Sequence, residues 1–256
     1  MTTLAGSLAA TEALTSPRTE GSEAWDADAR FYLTMALVSA AIVFVGFAPS
    51  FYLKSLIHAP PPLTQLTIAH GVVFTTWILL FITQTSLIAR KQPALHRQLG
   101  LLGAILFGAV VSLGVSTALA AARLGHAPPG APEPLAFMAL SFFVILGALA
   151  LVAMGLWNRR RSDWHKRLML ASIFIMTGPG TGRILIPLGF ASQEVTIGFV
   201  VTELLLIAAM GYDYRVHKRV HPAYWVAAVV FVVAHVSVMW AFGSPAAWMT
   251  FARAVT

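Results

Sequence analysis

The stretch SDWHKRLMLASIFIMTGPGTGRILIPLGF, residues 162–190, decides how the chain is read. It opens on the basic triplet His165-Lys166-Arg167 and runs into roughly a membrane thickness of apolar residues. Gly178-Pro179-Gly180 interrupts that run, and Arg183 follows it. Proline withholds a backbone donor, so a bend or broken turn is expected just before the arginine. A guanidinium within an apolar span is unfavourable unless it faces a partner or a water-filled cavity, which makes Arg183 a candidate functional residue.

Composition places this stretch in a membrane protein. The chain has 256 residues, 58% of them hydrophobic and 11% charged, with a mean hydropathy of +0.77. An ordinary soluble domain is excluded on these figures. Cysteine is absent, which excludes disulfides, thiolate catalysis and cysteine-ligated metals or clusters. The formal charge of +7 sits in short loops between apolar spans, where it is a topology signal. The expected partner is therefore the lipid bilayer, with membrane protein partners possible in principle and nucleic acid not expected.

Seven apolar spans can be drawn, at about Phe31 to Leu53, Leu63 to Ala89, Leu99 to Ala122, Leu135 to Trp157, Leu168 to Phe190, Val195 to Tyr212 and Ala223 to Phe242. The fold class is all-α, a polytopic membrane bundle of seven transmembrane helices. The loops after the second, fourth and sixth spans carry Arg90, Lys91 and Arg97; Arg159, Arg160, Arg161, Lys166 and Arg167; and Arg215, Lys218 and Arg219, eleven of the 17 basic residues. By the positive-inside rule these loops and the N-terminus are cytoplasmic and the C-terminus is outside. Residues 1–29, rich in Ala, Ser, Thr and acids, read as a disordered cytoplasmic tail without signal-peptide character. Residues 30–243 form the transmembrane domain, and 244–256 an outer interfacial tail.

Depth along each helix, at 1.5 Å per residue, brings four ionisable residues into one outer layer. His70, Arg183 and His235 each lie about 10 Å from the outer end of their spans, and Glu203 about 13 Å. Buried charges must pair, so Arg183 with Glu203 is the expected pair, with His70 and His235 joining a polar, outward-opening pocket. The alternative is a structural ion pair beside two hydrogen-bonded core histidines. Two imidazoles and a carboxylate also suit zinc, iron or copper, but no HExxH-like spacing supports a metal site.

A second layer lies at the cytoplasmic face, with His96 and Arg97 opening one helix and His165, Lys166 and Arg167 opening another. Bis-imidazole haem ligation needs two neutral histidines at similar depth, which His96 and His165 satisfy. Arg97 and Arg167 then pair with haem propionates, and His70 with His235 or Met138 serves an outer haem. The opposing reading is that His96 and His165 anchor helix ends in the headgroup region beside Trp157 and Trp164. Other chemistries are absent: Gly178 to Gly182 lacks the ending of a phosphate loop, and the seventh span has no lysine for a retinal Schiff base.

The segments IAHGVVFTTWILLFITQTSL (68–87), LHRQLG (95–100) and HKRLM (165–169), with Arg183 further along the same span, resemble a bacterial seven-helix membrane protein family of unknown function with an LHR-x-LG signature. The matching positions are His70, His96, Arg97, Gly100, His165, Arg167, Met169 and Arg183, over roughly half the chain. RVHPAYW (219–225) also looks like related seven-helix proteins, whereas His235 is outside the pattern. The resemblance implies the fold and a bacterial inner-membrane location; it supplies no reaction. A fainter likeness to b-type membrane cytochromes rests on the paired histidines. Three readings follow: a membrane protein binding a cofactor or small ligand between its helices, with haem b and electron transfer first; a small-molecule transporter or sensor using Arg183 and Glu203; and a structural accessory subunit of a larger membrane complex.

Overall fold

The computed structural model describes residues 20–57, 62–128 and 130–256, with side chains from Trp25 onward. Its elements are α1 (Glu20–Phe47), a π-helical turn (Ala48–Tyr52), α2 (Lys54–Ile57), α3 (Gln65–Ala89), α4 (Pro93–Arg123), α5 (Pro134–Trp157), α6 (Ser162–Ile175), α7 (Gly178–Leu185), a 3₁₀ turn (Ile186–Leu188), α8 (Glu194–His217), α9 (Pro222–Phe242) and α10 (Ala246–Val255). Among the described residues there is no strand. Seven segments are long and apolar enough to cross a membrane, the fifth being α6 and α7 together. The protein is an all-α, seven-helix, multi-pass membrane bundle.

The helices form a ring around α6. α1 packs on α3, α3 on α4, α4 on α5, α5 on α9 and α9 on α8, while α7 fills the space between α8 and α1. α6 touches α1, α5, α8 and α9. Its run from Leu168 through Ile175 has one partly exposed position, Met169. A helix that is apolar all round belongs in the interior, and here α1, α5, α8 and α9 supply its surroundings. The outer helices instead turn Leu101, Ile105, Val229, Val233 and Val236 away from the bundle, toward where lipid would lie.

The fifth span breaks where the proline demands it. α6 stops at Ile175, Thr177 Oγ1 donates to Phe174 O at 2.7 Å, and α7 starts at Gly178 with Pro179 in its first turn. Glycine lets neighbouring backbones touch there. A Cβ on Gly46 of α1 would lie 2.1 Å from Gly180 O, and one on Gly198 of α8 would lie 3.2 Å from Gly178 O. The broken segment is thus clamped between α1 and α8 by backbone contact on both sides.

Several boundaries differ from the sequence reading. α1 begins at Glu20, so residues 20–29 are helical and not part of a disordered tail; residues 1–19 lie outside those described. The turn at His58 to Ala59 and Pro60 to Pro61 likewise lies outside them. α4 begins at Pro93, which puts His96 and Arg97 inside the helix, and α8 runs on to His217. The expected interfacial tail is a helix, α10, packed on α5 through buried Trp248, Met249 and Ala252. Trp248 Nε1 donates to Leu135 O at 2.9 Å, and Arg123 donates to the terminal carbonyls of Val255 and Thr256.

Candidate functional site

The outer layer does not assemble as expected. Arg183 and Glu203 form no ion pair among the described residues. Glu203 Oε1 instead meets His235 Nδ1 at 3.0 Å, and the His235 ring stacks on Phe199 with centroids 3.9 Å apart. Arg183 turns the other way: its Nη1 donates to Pro179 O at 3.0 Å and its guanidinium lies 4.1 Å from the centre of the Phe47 ring. The carboxylate that feels its charge is Glu194, on the first turn of α8. His70 sits against Gly114 and Phe74, within electrostatic reach of Arg183, and its Nδ1 is buried without a partner among the described residues. The four residues share a depth but face two separate surroundings, because helix rise fixes depth and says nothing of facing. Met138 packs with Trp248 and Ala139 in the apolar cluster under α10.

The histidines of the basic end do meet. His96 on α4 and His165 on α6 have ring centroids 6.1 Å apart, with ring planes at 78°. His165 Nδ1 lies 2.9 Å from Gly155 O on α5. A carbonyl only accepts, so Nδ1 carries the proton and Nε2 keeps a free lone pair. His96 Nδ1 is buried with no partner among the described residues, as is Gln84 Oε1 on α3. The Gln84 backbone lies beside the His96 ring, so both orphaned atoms belong to one patch of the bundle. Buried polar atoms left unpaired each cost about 1–3 kcal/mol, which marks the patch as incomplete.

No family model, curated protein or solved structure matches the chain. What the basic end does is therefore read from its own geometry.

Next to the histidine pair lies an ionic network that sequence reasoning missed. Arg167 is buried and forked onto Asp213, its Nε 3.1 and 3.2 Å from the two carboxylate oxygens and its Nη2 bonded to Oδ1 as well. Arg167 is thus engaged within the protein and not free for a propionate. Asp213 Oδ2 also accepts from the His221 backbone N–H at 2.8 Å. Lys166 pairs with Asp28 of α1, which accepts from the Tyr212 hydroxyl at 2.9 Å and lies 3.2 Å from His217 Nε2. Tyr32 and Tyr224 join hydroxyls at 3.2 Å beneath it. The signal is present in Asp28 and Asp213, acids at the same end as the cations, of which Asp28 falls in the segment read as a tail and Asp213 just past the sixth span.

His221 closes this network. Its Nδ1 accepts from Ala223 N at 3.1 Å, capping α9, and its Nε2 lies 3.0 Å from Asp163 Oδ2. Burial pushes its pKa below the ordinary 6.5, outweighing the Asp163 carboxylate, which acts to raise it. The neutral ring is the native form, so its contribution to stability is complete above about pH 6.5 and is lost as pH falls from there through the lowered native value. Thermal unfolding in detergent should show this loss in the wild type and a flatter profile in His221→Asn, an amide that caps without titrating.

Proposed function

We propose that this multi-pass membrane protein holds a metal-centred redox cofactor between α4 and α6, with b-type haem the first choice. The observation that carries the reading is the His96–His165 pair at 6.1 Å. Rings this close would let His96 from α4 and His165 from α6 both hold one metal-centred group. The donor set also fits. His165 has its outer nitrogen fixed by Gly155 O, the usual orienting bond of a ligating imidazole, and His96 is one turn into its helix at the same end. Bound there, haem would supply one-electron transfer.

The chain's own residues have definable tasks in this reading. Gly155 holds the His165 tautomer and leaves Nε2 free, and the buried run of α6 begins two residues on, at Arg167. Arg97, exposed beside His96, is the cation placed to meet an acidic group of the cofactor, because Arg167 is bound to Asp213. A transporter reading built on Arg183 with Glu203 loses its central contact, since those side chains face different neighbours.

Oxidised and dithionite-reduced spectra of the purified protein, with metal analysis of the same sample, test the proposal. A Soret band with sharp reduced α and β bands is expected, and His96→Ala or His165→Ala should each bring haem content close to zero while helicity is retained. A flat visible spectrum with no stoichiometric metal refutes it.

A further inference from the structure

Glu194 is the one acid in the first turn of α8, and the residue is only 6% exposed. Its Oε1 is buried and finds no donor among the described residues. Arg183 is felt across space, yet lies beyond ion-pair distance and is held by Pro179 O and the Phe47 ring. Glu194 is among the residues that line a cavity of about 360 Å³ at the end of the bundle opposite the basic loops. Pro132 from the α4–α5 loop, Val195 and Thr196 from α8, and Met239 and Phe242 from α9 supply much of its wall. None of the described residues lining the cavity is cationic.

A buried carboxylate in an apolar setting is stable only with a cation or strong donors at its oxygens. The cavity offers space at the low end of the range for small-molecule sites, roughly 300–1,000 Å³, and a mixed wall in which Ser192 and Thr196 join the apolar side chains around a single charged anchor, Glu194. Phe242 and Met239 complete the chemistry, because aromatic faces receive organic cations well and a flexible thioether adapts to a carbon skeleton. We propose that this cavity binds a small organic ammonium, its N–H groups donating to Glu194 and its carbon skeleton lying against Met239, Phe242 and Val195. The site is separate from the histidine pair and does not depend on any cofactor there.

Isothermal titration of the full-length protein in lipid nanodiscs, with empty nanodiscs subtracted, tests this with three probes of one shape: benzylammonium, benzyl alcohol and benzoate. Saturable binding of benzylammonium is expected, with the alcohol at least about tenfold weaker and benzoate not bound. Glu194→Gln should weaken benzylammonium by about ten- to a hundred-fold, the range of a charge-assisted hydrogen bond. Ala131→Trp, which fills the cavity and leaves the carboxylate in place, should block binding by sterics alone and decides the matter if Glu194→Gln does not fold. Absence of saturable benzylammonium binding, equal binding of the alcohol, or indifference to the cavity-filling substitution overturns the proposal.

Discussion

Gly46→Ala is expected to destabilise the bundle by about 3 kcal/mol or more, the upper end of what overpacking produces. The added methyl would sit 2.1 Å from the Gly180 carbonyl oxygen, 2.7 Å from its carbon and 2.8 Å from its Cα. All three are backbone atoms, so no side chain can rotate away. Gly180 cannot retreat either, because Gly178 in the same segment lies against Gly198 of α8, with Gly178 O 3.2 Å from a Cβ there. Either α1 leaves α7 or the broken span shifts as a unit, and both remove contacts from the clamp. Membrane helices gain little from hydrophobic exclusion within lipid, so lost van der Waals contact is not easily replaced. Gly108→Ala is the matching control, since nothing among the described residues lies within 4 Å of its added methyl. Unfolding followed in mixed detergent should separate the two substitutions; equal stabilities would mean that the clamp contributes nothing.

The contrast between these glycines shows which features the sequence could convey. Span number, the break at Gly178-Pro179-Gly180 and the central place of residues 162–190 are all composition or proline chemistry, readable along one dimension. Gly46 carries no mark that separates it from Gly108; only the crossing of α1 over α7 does. The same limit governed the site. Depth put Arg183, Glu203, His70 and His235 in one layer, but the pairs that form, Glu203 with His235 and Arg183 with the Phe47 ring, depend on how each helix is rotated. Helix rotation is set by packing against neighbours, here by glycine contacts and by the all-round burial of α6. His96 and His165 were matched by depth and also meet, because both stand one turn inside helices that start at the same end of the bundle. Glu194 escaped notice for the opposite reason: it sat at a span boundary, where an acid ordinarily faces water.

Asp213→Ala should be still more damaging than the glycine substitution, by about 3–5 kcal/mol, because it strands a buried cation. The Arg167 side chain is 5% exposed and that of Asp213 1%, so water cannot take the place of the carboxylate. Removing it leaves the guanidinium with the Asp163 carbonyl at 2.9 Å and the Tyr224 ring face at 5.8 Å, and it also frees the His221 backbone N–H. Three elements lose their common anchor, since Arg167 stands on α6, Asp213 on α8 and His221 at the head of α9. Removing both charges is a different perturbation. Arg167→Met with Asp213→Leu fills similar volume without a buried ion, and the paired change should recover most of the loss, as apolar replacements of buried ion pairs commonly do. A double-mutant cycle by thermal unfolding reads the coupling directly; an Asp213→Ala protein within about 1 kcal/mol of wild type, or a paired change no better than the single one, rules the anchor out. The cycle also separates stability from cofactor chemistry. If Arg167 serves only the fold, the paired substitution keeps whatever His96 and His165 bind, whereas a role in holding the cofactor would leave a folded protein that has lost it.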